Sequence, residues 1–476
     1  MALRTANIIG SGPNGLAAAI TLAQAGVAVT VHEQNSWVGG ACSTAELTLP
    51  GFKHDRGASI FPLGVCSPFL ASLPLHEHGL DWIEPDAPLA HPFDDGSALM
   101  LEYSIDATVA RMPGRDVHQW RHLIEPIMRD WTEIVDGIMQ PLLRFPEHPF
   151  EMLRFGLSAL RPAKSLAKSH FRNAHTQALF AGCAAHSTLP MTNLASSAAG
   201  LVLAAAAHTV GWPLVRGGAG ELTKALASYL RSLGGEIVLE SKVTSLAELP
   251  PADATFFDTT PEMLGKIAGD ELTLNYRDAL DRFRRGMGIF KIDWALSEPI
   301  PWRSSCCKRS ATVHVGGSLE EITHSEYLAW NGGETDKPFV LLAQPSLFDA
   351  SRAPEGKHTA WAYCHVPAGA RADRTEIIER QVERFAPGFR DTILARTPSS
   401  AAELSAWNPN LACGDIAGGA MDLKQMLFRP TKKLYRTSHP RLYLCSASTP
   451  PGGGVHGMAG YNAAMAALHD HGSIAK

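Results

Sequence analysis

An α/β chain in two parts is predicted by three observations. The first is the start, where Ile8-Ile9-Gly10-Ser11-Gly12-Pro13-Asn14-Gly15 leads into an Ala/Leu-rich run to Gly26, an alternating run Val27 to His32, and Glu33. The second is the end, where Arg441 to Cys445 reads as a strand, Ser446 to Gly460 as a loop with Gly452-Gly453-Gly454 and Gly457, and the following residues to about His469 as a helix. The third is the middle, with helical patterns from about Ile105 to Leu203 and alternating runs at Gly288 to Leu296, Phe339 to Gln344 and Thr359 to Val366. Together they predict a discontinuous Rossmann-type domain beside an α+β domain with an antiparallel sheet and inserted helices.

The opening run reads as strand, glycine loop, helix, strand and acid. Gly10 makes the tight turn, Gly12 lets backbone approach a pyrophosphate, and Gly15 lets the helix pack close on the sheet. The free N–H groups at the helix start, with the helix dipole, form an anion site. Glu33, at the tip of the second strand, is placed to accept hydrogen bonds from ribose hydroxyls and disfavours a 2′-phosphate. Gly39-Gly40 extends the pattern beyond what a nicotinamide site needs, because a second glycine pair lets the chain double back along the cofactor. That favours FAD.

Farther along, Phe52 to Ser59 is a short extended piece ending in small residues, and Trp120 to Met139 and Phe150 to Leu160 are helical. After Arg216-Gly217-Gly218-Ala219-Gly220, a helix from Glu221 to Leu233 stops at Gly234-Gly235, and strands follow at Glu236 to Leu239 and Ala254 to Asp258. That is one more αβ unit for the same parallel sheet. The alternating runs after residue 286 show no helices between them. The expected segments are 1–104, 215–285 and 410–476 for the cofactor domain, 105–214 for the helical part of the substrate domain, and 286–409 for its sheet. Gly217 to Gly220 lacks the strand and spacing to bind NAD(P)H by itself.

With 476 residues, 45% hydrophobic and 19% charged, the chain is long enough for about three domain-sized units and reads as globular. A net charge of -5 argues against nucleic acid as a partner. Eight scattered cysteines have no metal-ligand spacing, so no metal site is expected, and they suit a reducing, cytoplasmic setting. The residue five after Cys42 is Leu47, which excludes a Cys-x4-Cys dithiol. The first strand begins by about Ala6, leaving no room for a leader, and the apolar stretch Leu194 to Val210 is too short and too interrupted for a bilayer span. A peripheral contact with a membrane stays open.

The chain resembles the phytoene desaturase-like branch of the FAD-dependent amine oxidase superfamily, with its nearest likeness among the pyridine nucleotide-disulfide oxidoreductase domain 2-like, or phytoene dehydrogenase-related, proteins. The resemblance rests on Gly10 to Leu16 with Glu33 and Gly39-Gly40-Ala41, on Ala185-His186-Ser187, on His208-x2-Gly211-Trp212-Pro213 leading to Arg216-Gly217-Gly218, on Arg429-Pro430-Thr431, and on Pro451 to Met458. It implies extended, non-covalent FAD. Gly10, Ser11, Gly12, Pro13, Asn14 and Gly15 would hold the pyrophosphate, Glu33 with Gln34 the adenosine ribose, and Val243 the adenine through its backbone. Gly39, Gly40 and Ala41 would follow the cofactor, Gly57, Ala58 and Ser59 would border the flavin ring, and Gly453, Gly454 and Val455 would face the ribityl and pyrimidine end. Ala41 departs from the family, whose members often carry Arg there.

Such a site moves a hydride from a substrate C–H to flavin N5. The expected substrate is hydrophobic, an isoprenoid or polyene whose C–C bond is desaturated or saturated, with O2 or a quinone as acceptor. The histidines best placed to move a proton are His456, His186 and His208. An amine oxidase acting on a C–N bond is the alternative within the same fold, and a flavin-stabilised interaction protein without turnover is the alternative of another class.

Overall fold

The computed structural model describes residues 2–473. A five-stranded parallel sheet runs in the order Leu442–Leu444, Ala254–Phe257, Thr5–Ile9, Ala28–His32, Glu236–Val238. Its strands come from the start, middle and end of the chain. Ile8 pairs with Phe256 on one side and Val31 on the other, so the opening strand is central. The helix Pro13–Gln24 begins with proline, whose missing N–H costs nothing at that position. It packs against the C-terminal helix Met458–Asp470 and against Ala219–Ser232, closing a core that includes Leu16, Ile20, Leu226 and Ala463.

The second sheet has seven strands in the order Ile393–Ser399, Gly288–Leu296, His358–Val366, Val340–Ala343, Ser310–Val315, Ala87–Pro92, Ala98–Leu101. Every pairing is antiparallel except that of Ser310–Val315 with Ala87–Pro92. This differs from the sequence reading in three places. Residues 87–101 fall within the expected cofactor segment 1–104, but they form a hairpin that closes the edge of the second sheet. A hairpin's local pattern fixes its own turn and leaves open which sheet it joins. The runs expected to lack intervening helices are interrupted by Leu319–Trp330, started by a Ser318/Glu321 capping box. The single helical pattern Trp120 to Met139 is two helices, Asp116–Arg129 and Trp131–Ile138, separated at Asp130.

Gly288–Leu296 is buried along its whole length, flanked by strands on both sides and covered on both faces. Its alternation therefore does not mark a wet face, and Lys291 and Asp293 lie inside the protein, where the ammonium donates to both carboxylate oxygens. The helices between residues 105 and 209 cover the other end of the second sheet. Among the described residues no helix is long and apolar enough to cross a membrane.

Candidate cofactor and substrate site

One cavity of about 930 Å3 runs from the glycine loop, past both Gly-rich ends of the chain, to the inner face of the seven-stranded sheet. Gly10 turns at φ 101°, a region open to glycine, and Gly12 is extended at the N-cap of the helix, with no side-chain cap of its own. A Cβ on Gly12 would come within 2.5 Å of the Asp258 carboxylate, and one on Gly15 would overlap the Gly10 carbonyl oxygen. Gly15 thus closes the loop, and its N–H donates to Asp258 Oδ2 at 2.9 Å. Gly10 to Asn14 face the cavity, whereas Gly15 does not.

Asp258 carries no sequence signal, because it stands one residue beyond a strand far along the chain. Burial pushes its carboxyl up to about 7, against the hydrogen bond from Gly15 and helped by the neighbouring Glu33 charge.

Glu33 is buried at the strand tip and lines the cavity with Gln34. Its Oε2 accepts from Ser11 N–H at 3.0 Å and Ser11 Oγ at 2.6 Å. Its Oε1 accepts from the Asn35 backbone at 2.9 Å and side chain at 2.7 Å. All four lone-pair positions are filled, so Glu33 also fixes the glycine loop to the second strand. Gly39 serves the same clamp, since its N–H donates to the Ser11 carbonyl and hydroxyl, and it stands behind the wall.

Gly40, Ala41, Gly57, Ala58, Ser59 and Val243 all line the cavity. Beside Ala41, Arg56 lines it too, its guanidinium held 5.0 Å from the Trp37 ring and 5.3 Å from the Trp407 ring. Ser59 bonds to Asp55, which pairs with Arg352 at 2.9 Å and accepts from Ala219 N–H at 2.8 Å.

From the far end of the chain, Gly453, Gly454, Val455 and His456 complete this wall. His456 Nδ1 accepts from Met458 N–H at 3.0 Å, and burial lowers its imidazole to about 4. It is neutral, with its proton on Nε2. His186 also lines the cavity; burial, then the nearby His365, lowers it to about 3, and its Nε2 shares a 2.9 Å hydrogen bond with His314 Nε2. His208 does not reach the cavity, contrary to the sequence reading. It sits in the last turn of Ser197–Thr209, where Nδ1–H donates to the Glu102 carbonyl at 2.8 Å, so its role is to tie that turn down.

Apolar side chains of the inserted helices, Ile138, Met152, Phe155, Val202 and Leu203 among them, form the roof of the inner chamber. Its floor is the sheet, with Lys291, Thr312, Leu341, Trp361 and Tyr363. Lys291 lies 5.5 Å from the Trp361 ring centroid and was hidden in the sequence by the alternating pattern of its strand.

Fold and site define a Rossmann-type dinucleotide protein of two domains, and residues 8–71 match the NAD(P)-binding Rossmann-like domain family. A redesigned putrescine oxidase shares the fold at TM-score 0.64, with 16% identity over 98% of each chain. By sequence, the chain is similar to the mouse (Mus musculus) pyridine nucleotide-disulfide oxidoreductase domain-containing protein 2, 24% identical over 97% of this chain and 93% of the relative. It is equally similar, at 24% identity over 98% of this chain and 99% of the relative, to the lycopene-forming phytoene desaturase of Pantoea ananas. Along nearly its whole length the chain is thus similar to two proteins named as oxidoreductase or desaturase, and its likeness to the putrescine oxidase is one of fold.

Proposed function

We propose that the chain is an FAD-dependent oxidoreductase that transfers a hydride between a C–C bond of a hydrophobic substrate and flavin N5, in the manner of a desaturase. The observation that carries this reading is the single cavity, which joins the glycine loops of both chain ends to an apolar chamber. Its wall suits FAD: the glycine loop at the helix N-terminus for the pyrophosphate, beside the Asp258 carboxyl, Glu33 and Gln34 for the adenosine ribose, and Val243 for the adenine. Ribose would take the place of an Asn35 or Ser11 bond on Glu33. Gly57 to Ser59 and Gly453 to Val455 would flank the flavin, and Arg56 would supply the cation that Ala41 does not. Attachment is non-covalent in this reading, since the Cys42 thiol donates to the Ala219 carbonyl and His456 Nδ1 is engaged.

When bound, FAD supplies a two-electron acceptor at N5. The protein holds the donor carbon against it and excludes water with the helical roof. Neutral His186, bonded to His314, is a group of the inner chamber that can accept a proton, while Lys291 is held there as an ammonium by Asp293. A substrate whose positive charge is delocalised over a polyene needs no stronger base.

The helix Pro149–Ala159 turns Met152 and Phe155 to the cavity and leaves Phe150 81%, Leu153 63% and Leu157 69% exposed. This outward apolar face supports a peripheral membrane contact through which an apolar substrate would arrive. Sedimentation with phospholipid vesicles tests it, and Leu153→Ser/Leu157→Ser should stay in the supernatant. The reaction itself is tested by anaerobic mixing with polyenes and with amines. Bleaching of the flavin by polyenes supports the desaturase reading, and bleaching by amines alone replaces it with the C–N alternative. The acceptor follows from reoxidation of the bleached protein by O2 or by a quinone.

A further inference from the structure

The inner chamber carries more hydrogen-bonding capacity than the chain itself uses. Ser187, Thr188, Thr312 and Trp361 all line the cavity, and none is more than 7% exposed. Ser187 Oγ, Thr188 Oγ1, Thr312 Oγ1 and Trp361 Nε1 have no hydrogen-bond partner among the described residues. Buried polar groups are normally paired, because an unpaired one loses its water for nothing in return.

The register of the sheet brings these groups together. Asp293, Trp361, Ala343 and Thr312 are successive cross-strand neighbours on one face, with only the small Ala343 between the indole and the hydroxyl. The adjacent row on the same face is Lys291, Tyr363, Leu341 and His314. The His186 to His314 hydrogen bond ties the turn His186-Ser187-Thr188 to that second row. Thr188 is held at φ 51°, a conformation rare for a β-branched residue, by a helix end whose N–H bonds run from Ser187 to Ala184 and from Thr188 to Ala185.

Each of the four groups of this wall can donate, and the three hydroxyls can also accept. The Trp361 indole can only donate. The Lys291 ammonium is neutralised by Asp293, so the wall has no spare charge of either sign. The other carboxylates of the cavity, Glu33, Asp258 and Asp415, accept backbone N–H bonds elsewhere in the wall. An ammonium head would find no counter-charge here, and a pure hydrocarbon would leave four donors unpaired.

We propose that the substrate is an apolar chain that carries a neutral carbonyl oxygen, seated among Ser187, Thr188, Thr312 and Trp361. This rests on the reading of the inner chamber as the substrate end of a flavin site. The test is calorimetric titration of the full chain as purified, with its flavin content recorded, with three probes of one isoprenoid skeleton: farnesene, farnesal and farnesylamine. Farnesal is expected to bind about tenfold tighter than either of the others. Thr312→Val, which keeps shape, should weaken farnesal about threefold or more and leave farnesene unchanged, and Trp361→Phe, which removes the N–H together with one ring, should weaken farnesal by a larger factor than farnesene. Equal binding of farnesal and farnesene, tighter binding of farnesylamine, or equal losses for farnesal and farnesene in both variants would overturn the proposal. The heat is read without the flavin. A colourless protein that prefers farnesal therefore supports the carbonyl site while removing the flavin reading, and a yellow protein without that preference removes the carbonyl site alone.

Discussion

Gly460, in the first turn of the C-terminal helix, lies so close to Asn14, in the first turn of the N-terminal helix, that a Cβ on Gly460 would overlap the Asn14 carbonyl oxygen. The contact sets two helices, one from each end of the chain, side by side, and each follows a glycine-rich loop that lines the cavity. Backbone, not a flexible side chain, is what the added methyl would meet. Gly460→Ala is therefore expected to destabilise the fold by about 1–3 kcal/mol through overpacking. Gly265→Ala is the control, a helical glycine with room around it, expected to be neutral or to stabilise by about 0.5–1 kcal/mol. Denaturant unfolding of the two variants measures both.

The proposed seat of a pyrophosphate at Gly12 gives a second expectation. Gly12→Val places a branched side chain in the loop and against Asp258, so the protein should purify without flavin. Glu33→Ala should weaken FAD while leaving the spectrum of the bound fraction unchanged, because Glu33 touches Ser11 and Asn35 and not the ring end of the cavity. Flavin retained per chain after gel filtration reads both.

Asp258 makes retention depend on pH. Its folded value, raised to about 7, lies above the unfolded 3.8, so its contribution to stability is full below about pH 3.8 and is lost as pH rises through 7. Once ionised it also stands beside the expected pyrophosphate. The parent protein should lose FAD affinity between about pH 6 and about pH 8, and Asp258→Asn should flatten that profile. A titration of FAD into apoprotein at several pH values checks it.

The buried histidines act in the opposite direction. Burial lowers His54 and His186 to about 3 and His91 and His456 to about 4. His314 is held well below its ordinary value by burial, with His186 and His91 adding. A depressed histidine stabilises the fold above its unfolded 6.5, and that stability is lost as pH falls toward the folded value. Each contributes about 1.4 kcal/mol per pH unit in that window, and together they outweigh Asp258. Stability should drop steeply below about pH 6, and His186→Phe should lower the slope by about one proton. Denaturant midpoints measured across about pH 4–7 give that slope.

Much of the parallel-sheet half was legible because its signals are local. A glycine needed for a turn, an acid at a strand tip and a helix after proline each follow from neighbouring residues, and the parallel sheet follows from their order. What was missed is set by distant partners. Asp258 closes a loop made by residues near the start, and the clamp of Glu33 on Ser11 appears only once both are in place. Lys291, Asp293 and His314 alternate as an exposed strand would, yet neighbouring strands and helices cover both faces. His208 shares a helix with cavity residues and faces the other way, which no spacing reveals.

The proposed function requires one non-covalent FAD stretched between the two ends of the chain. It is tested most directly by the absorption spectrum of the purified protein before and after heat or acid precipitation. The expected result is a flavin spectrum with about one FAD per chain, released entirely into the supernatant. A colourless protein that added FAD does not reconstitute would contradict the claim, as would flavin that stays with the precipitate.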